Sequence, residues 1–176
     1  MTRPASSDLP GHRPFRISVI CSGNICRSPI GEQLLEAAIR DAGLAGQVQV
    51  TSAGTGDWPM GQSANPQALS ALARAGVNGT DGHDHRAHRI TATELADIDL
   101  ALAADRGHVQ VLRRMTDNPD KVVLLRTFDP AADGNEIPDP YQGPDDGYDA
   151  VVAMTAAAIP GILTEIRTRL AHQEVA

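Results

Sequence analysis

The sequence predicts an α/β fold, a single three-layer αβα domain in which a four-stranded parallel sheet is covered by helices on both faces. Three observations lead there. Four short apolar or β-branched runs, at 16–20, 47–51, 98–104 and 121–125, alternate with segments whose apolar residues recur at helical spacing. The runs are joined by crossovers, which place successive strands parallel and their helices on the sheet faces. The chain of 176 residues fits one domain, and with only 3% aromatic residues its core must be built from alanine, leucine, valine and isoleucine.

Residues 1–15 are polar, include Pro4, Pro10 and Pro14, and lack the apolar stretch of a signal peptide; they read as a flexible tail before a domain over 16–176. No run approaches membrane-spanning length. The first strand, 16–20, breaks into a polar loop. Ser28 followed by Pro29 then reads as a helix N-cap with proline at the first helical position, and Ile30, Leu34, Leu35, Ala38 and Ile39 carry the helix to Gly43. After the second strand, a glycine-containing loop over 52–62 holds the only tryptophan, Trp58. Asn65 and Pro66 open a second helix, with Ala68, Leu69, Leu72 and Ala75 inward and Gly76 at its end.

Residues 81–89 form the one basic patch, with His83, His85 and His88. A metal site is discounted there, because the segment is irregular and Arg86 and Arg89 would repel a cation. Thr91 and Glu94 fit a capping box. The third strand, 98–104, ends at Asp105, and 108–115 reads as a helix closed by Asn118 and Pro119. Beyond the fourth strand, 150–170 is amphipathic, with Met154, Ile159, Ile162, Leu163, Ile166 and Leu170 on one face; Pro160 and Gly161 inside it predict a kink or break.

The chemistry concentrates in the loop between the first strand and the first helix. A helix N-terminus presents unpaired N–H groups and a positive dipole end, and Gly23 and Asn24 tolerate the left-handed backbone that a nest of amides needs. Cys21 and Arg27 stand at its two ends, five residues between them. An electropositive loop favours the thiolate, the nucleophilic form of cysteine, and a guanidinium grips two phosphoryl oxygens at once. Ser28 has two candidate roles, capping the helix or hydrogen-bonding the Cys21 sulfur to improve it as a leaving group. Cys26 is either a redox partner that traps oxidised Cys21 or a small buried hydrophobe.

The segment CSGNICRSP resembles the signature of the low-molecular-weight protein tyrosine phosphatases, and the resemblance runs from about Arg16 to the end of the chain. It implies a metal-independent phosphatase that hydrolyses phosphotyrosine monoesters through a cysteinyl phosphate. Cys21 would be the nucleophile, Arg27 the phosphate clamp, and Ser22, Gly23, Asn24, Ile25, Cys26 and Ser28 the rest of the phosphate loop. It also implies the strand order 2-1-3-4 and a supporting role for His85, which would hold that loop together with Asn24 and Ser52. In such a sheet ligands bind beyond the carboxyl ends of the strands at the switch point, here between the first and third strands. Cys21 lies at that end.

Phosphoryl transfer to sulfur leaves an alkoxide or phenoxide, which a carboxylic acid would protonate. Between 128 and 148 the residues alone do not choose among Asp129, Asp133, Asp139, Asp145 and Asp146. The resemblance chooses: Asp139, Pro140 and Tyr141 match the family's D-P-Y element, whose aspartate is general acid and then base. Trp58 and Tyr141 become candidate walls of a slot deep enough to select phosphotyrosine by length. Gln142 departs from the family's common second tyrosine.

A net charge of −7 without a basic face argues against nucleic acid, and nothing points to a membrane. Two cysteines in one loop give no disulfide framework and suggest a reducing, cytoplasmic setting; no metal or cofactor is called for, and a monomer is expected. The partners implied are phosphotyrosine-containing proteins or peptides. Three rivals stand beside this reading. Related arsenate reductases need two further cysteines, which this chain lacks. Arginine phosphatases on the same scaffold tend to carry threonine where this sequence has Ile25. A non-catalytic phosphate binder would not need nucleophile, clamp and acid together.

Overall fold

The two-residue period of the strands sets the layers. In β1 (Phe15–Cys21), Phe15, Ile17, Val19 and Cys21 pack into one core and Ile20 into another. The computed structural model describes residues 13–77 and 84–173. Of the tail expected over 1–15, residues 1–12 fall outside these, while Arg13 grips Asp99 through two contacts of 2.7 Å and Phe15 already belongs to β1.

β2 (Val48–Gly54), β3 (Leu100–Ala103) and β4 (Val122–Leu124) complete a parallel sheet in the order β2-β1-β3-β4, as expected. α1 (Arg27–Asp41), α2 (Pro66–Arg74) and α5 (Asp145–Gln173) cover one face. α3 (Ala92–Asp97) and α4 (Arg106–Arg113) cover the other, where Leu95 and Leu112 meet Ile20, Ala101 and Ala103. The register aligns Cys21 with Gly54 and Ile20 with Ala103, so the carboxyl ends of three strands open on one edge.

Local signals explain most boundaries. Thr91 and Glu94 form the expected capping box of α3, and Asn65 caps α2 by accepting from the Gln67 amide. Lys121, buried in a 3-10 turn, donates its Nζ to the carbonyls of Leu95 and Ile98 at 2.5 and 3.0 Å, which satisfies the end of α3. Four expectations fail. Leu69 and Ala75 are exposed, because α2 is nine residues long and offers only the narrow stripe of Ala68, Ala71 and Leu72 to the core. Ser28 does not cap α1: the cap position is Cys26, and no side chain fills it.

The break at Pro160 does not occur either. Val151, Val152, Thr155 and Ala158 before it and Ile162 and Ile166 after it bury on one face, so both halves must keep a common register, and α5 runs through 29 residues. Gly161 serves close approach instead, since a Cβ there would collide with the Phe128 carbonyl of the 3-10 turn Leu125–Phe128. By length and composition alone α5 could cross a membrane, contrary to expectation. Its buried face is part of this domain's core.

Candidate active site

The loop 22–26 is held from outside by its carbonyls. Thr55, Gly56 and Asn65 donate their amides to the carbonyls of Cys21, Ser22 and Ile25 at 2.8–3.0 Å, and His85 Nε2 donates to the Asn24 carbonyl at 2.6 Å. In a trans peptide the next N–H points the opposite way, so the amides of Ser22, Gly23, Ile25 and Cys26 turn toward the concave side. Asn24 adopts φ +55°, and Gly54 allows the close approach, since a Cβ there would stand 2.5 Å from the Ser22 carbonyl.

Buried side chains lock this shape. Asn24 Nδ2 donates to Ser28 Oγ at 2.9 Å and to Ser52 Oγ at 3.0 Å, while its Oδ1 accepts from the His88 amide at 3.1 Å. The Ser52 hydroxyl donates to Glu32 Oε2 at 2.5 Å. Ser28 Oγ lies 3.0 Å from Cys21 Sγ; because it accepts from Asn24, its own proton is available to the sulfur. Of the two roles open to Ser28, the structure thus supports contact with the sulfur.

Arg27, 5% exposed, reaches across the loop. Its Nη1 donates to Asp105 Oδ2 at 2.9 Å and to the Ile137 carbonyl at 3.1 Å; Nη2 donates to Ser22 Oγ at 3.3 Å and stands 3.5 Å from Asp139 Oδ2. Burial pulls the Asp105 carboxyl upward, but the His108 amide, the His108 ring and Arg27 outweigh it and hold the carboxyl below the usual range. Asp139 is half-exposed, and its Oδ1 accepts from the Tyr141 amide at 3.2 Å, a turn that Pro140 stiffens.

Cys21, Ser22, Gly23, Ile25, Cys26, Arg27, Trp58, Asp139 and Tyr141 line one cavity of about 120 Å³, with Pro59 added to the wall. The Trp58 and Tyr141 rings meet edge to face, 6.1 Å apart. Gln142 takes a left-handed turn conformation, φ +61°, and stays outside this lining. Cys26 is buried, its thiol directed to Tyr148 Oη at 3.9 Å, and burial pushes it up to about 11. A larger, open hollow of about 790 Å³ beside β2 contains neither cysteine.

His83 lies outside the described residues, and His85 and His88 both serve Asn24. Among the described residues no group of three or more His, Cys, Asp or Glu is arranged to hold a metal. Sequence reasoning missed Glu32, Asp105, His108 and Pro59 as parts of the site. Glu32 had a signal: it follows Ser28 by four residues on the apolar face of α1, where an acid needs a partner. Asp105 and His108 had one in the spacing of a cap, read too late by two residues.

Residues 16–172 match the profile of a family described as low molecular weight phosphotyrosine protein phosphatase. A low molecular weight protein-tyrosine-phosphatase of Streptomyces coelicolor is 39% identical over 161 residues, 89% of this chain and 96% of that one. Among solved structures, the Erwinia amylovora tyrosine phosphatase AmsI has a TM-score of 0.72 at 31% identity, covering 89% of this chain and 96% of its own. YwlE arginine phosphatase, solved as a cysteine-to-serine mutant with a phosphorylated active-site serine, has a TM-score of 0.75 at 25% identity, covering 87% and 96%.

Proposed function

Since the chain belongs to the low molecular weight phosphotyrosine protein phosphatase family, we propose that it hydrolyses phosphotyrosine in proteins or peptides through a cysteinyl phosphate. The observation that carries this reading is the 3.5 Å approach of Asp139 to Arg27, which brings a carboxyl from the far end of the chain to the mouth of the cavity that Cys21 floors. Nucleophile, clamp and acid then face one volume.

Cys21 sulfur attacks phosphorus in line with the scissile bond, forming P–S as P–O breaks. The loop amides and Arg27 hold the three equatorial oxygens, where charge accumulates. Asp139, protonated at this step, gives its proton to the departing phenolate. In the second step a water attacks the phosphocysteine and passes a proton to Asp139, while the Ser28 hydroxyl stabilises the sulfur as it leaves. The residues of the site supply every group these steps require.

Trp58, Pro59, Tyr141 and Ile25 give the cavity apolar walls that suit a tyrosyl ring. The similarity to an arginine phosphatase keeps one alternative alive, with Ile25 against it. A panel of phosphotyrosine, phosphoserine and phosphoarginine peptides decides among them. We expect phosphotyrosine turnover that persists in chelator and is lost in Cys21→Ser; preferred phosphoarginine turnover would transfer the assignment, and binding without turnover would reduce the protein to a phosphate binder.

A further inference from the structure

His108, buried in the first turn of α4, touches the loop at one point, where its Nε2 lies 2.8 Å from Ser22 Oγ. The other ring nitrogen fixes the direction of that bond. Asp105 Oδ1 stands 3.1 Å from Nδ1, but the Asp105 amide points its N–H at the same nitrogen at 3.2 Å and leaves no place there for a second hydrogen, so Nδ1 carries a lone pair and the neutral ring holds its proton on Nε2. Burial, with Arg27 adding to it against the pull of Asp105, keeps the ring below the ordinary histidine range. Nε2–H therefore donates to Ser22 Oγ, and Arg27 Nη2 donates to the same oxygen at 3.3 Å. A hydroxyl has two lone pairs and one proton. With both lone pairs engaged, the proton is what Ser22 has left to offer, and Ser22 lines the cavity beside Cys21 and Arg27.

We propose that the Ser22 hydroxyl is a side-chain donor to the tetrahedral oxyanion bound in this loop, added to the backbone amides, and that His108 is the positioning residue that turns its proton inward. The ligand chemistry is shared by a phosphate monoester and free phosphate. Only the substrate half rests on the phosphatase reading. Asp105 joins the two donors, since its carboxylate receives Arg27 and its amide sets the tautomer of His108.

Orthophosphate binding, followed by phosphorus NMR titration of the whole chain, tests this without relying on turnover. Ser22→Ala should raise the phosphate Kd roughly tenfold, the size of one hydrogen bond to a charged group, and Ser22→Thr should restore it to within about twofold. His108→Gln, whose amide can donate, should keep most of the affinity; His108→Leu should lose as much as Ser22→Ala. The double variant Ser22→Ala/His108→Leu should lose no more than Ser22→Ala alone. Unchanged binding in Ser22→Ala, or losses that simply add, would overturn the proposal. If His108→Leu fails to fold, the serine pair still decides: equal weakening by alanine and threonine overturns it, and rescue by threonine supports it. Wild-type protein that binds phosphate yet leaves phosphotyrosine peptides intact would defeat the phosphatase reading alone; turnover with an indifferent Ser22→Ala would defeat this one alone.

Discussion

Asp105 presents one carboxylate oxygen to Arg27 Nη1 at 2.9 Å and the other to the His108 amide at 3.1 Å, so a single side chain both caps α4 and aims the guanidinium across the loop. The two duties separate by mutation. Asparagine caps a helix as well as aspartate but carries no charge to hold an arginine. Asp105→Asn should therefore lower kcat/KM for an aryl phosphate by roughly tenfold to a hundredfold, ~1.4–2.7 kcal/mol of transition-state stabilisation, with little change in Tm. Asp105→Ala should lose about 1 kcal/mol of stability besides. Steady-state kinetics beside thermal melts check both; a kcat/KM unchanged in Asp105→Asn would mean that the Ile137 carbonyl suffices to place Arg27.

In the proposed mechanism Asp139 acts at the leaving group, and it is half-exposed with one weak tie to Arg27. Asp139→Asn should cost roughly 100- to 10,000-fold in kcat for esters of high-pKa phenols and far less for p-nitrophenyl phosphate, whose phenolate leaves without a proton. Stability should hardly move. A uniform loss across leaving groups would assign Asp139 to binding instead.

Much of this arrangement is legible in the chain, for identifiable reasons. The strands and α1 follow from apolar period and turn chemistry, and the loop is legible because Cys21, Gly23, Asn24, Arg27 and Ser28 are contiguous. The order 2-1-3-4 and the choice of Asp139 came through the family resemblance, because neither period nor composition orders strands or picks one aspartate from an irregular acidic stretch. What stayed hidden was supplied by contacts between distant residues. The residues alone left Ser28 open between a cap and a partner of the Cys21 sulfur until the bond from Asn24 turned its proton to Cys21, and Pro160 looked like a break until the buried face on both sides of it overrode the local penalty.

His108 gives stability a defined pH dependence. Its folded pKa lies below the ordinary value near 6.5, so above that pH neither state is protonated and the group contributes no slope. As pH falls through 6.5, the unfolded chain takes up a proton that the folded site refuses, and stability is lost until the folded pKa is reached. Asp105 and Asp99, both lowered, add a second loss as pH falls below about 4 through their folded values. Urea unfolding from pH 8 to 4 should show the first decline in the wild type and a flatter profile in His108→Gln; parallel profiles would mean that the ring takes up its proton alike in the folded and unfolded states.

Gly161 faces the Phe128 carbonyl so closely that a methyl group has no room. Alanine favours a helix over glycine by up to about 1 kcal/mol, so propensity alone would make Gly161→Ala stabilising. The collision is with backbone, which cannot rotate away, and overpacking of this kind costs about 1–3 kcal/mol. The net change should be destabilising by urea denaturation, whereas a more stable variant would show that α5 slides freely over the 125–128 turn.

The two thiols share a loop but not an environment. Cys26 is buried with its S–H directed to Tyr148, and burial raises it to about 11, leaving on the order of one thiolate in a thousand at pH 8. Tyr148 is likewise pushed up by burial and by Cys26, to about 12, so it offers no charge that would change this. Cys21 shares its cavity with the guanidinium of Arg27. Iodoacetamide at pH 8 should accordingly place one label on Cys21, slowed by orthophosphate, and reach Cys26 only in urea. Peptide mapping by mass reads the two positions apart; native labelling of Cys26 at the rate of Cys21 would require the loop to open, because a neutral thiol packed against Tyr148 is neither accessible nor nucleophilic.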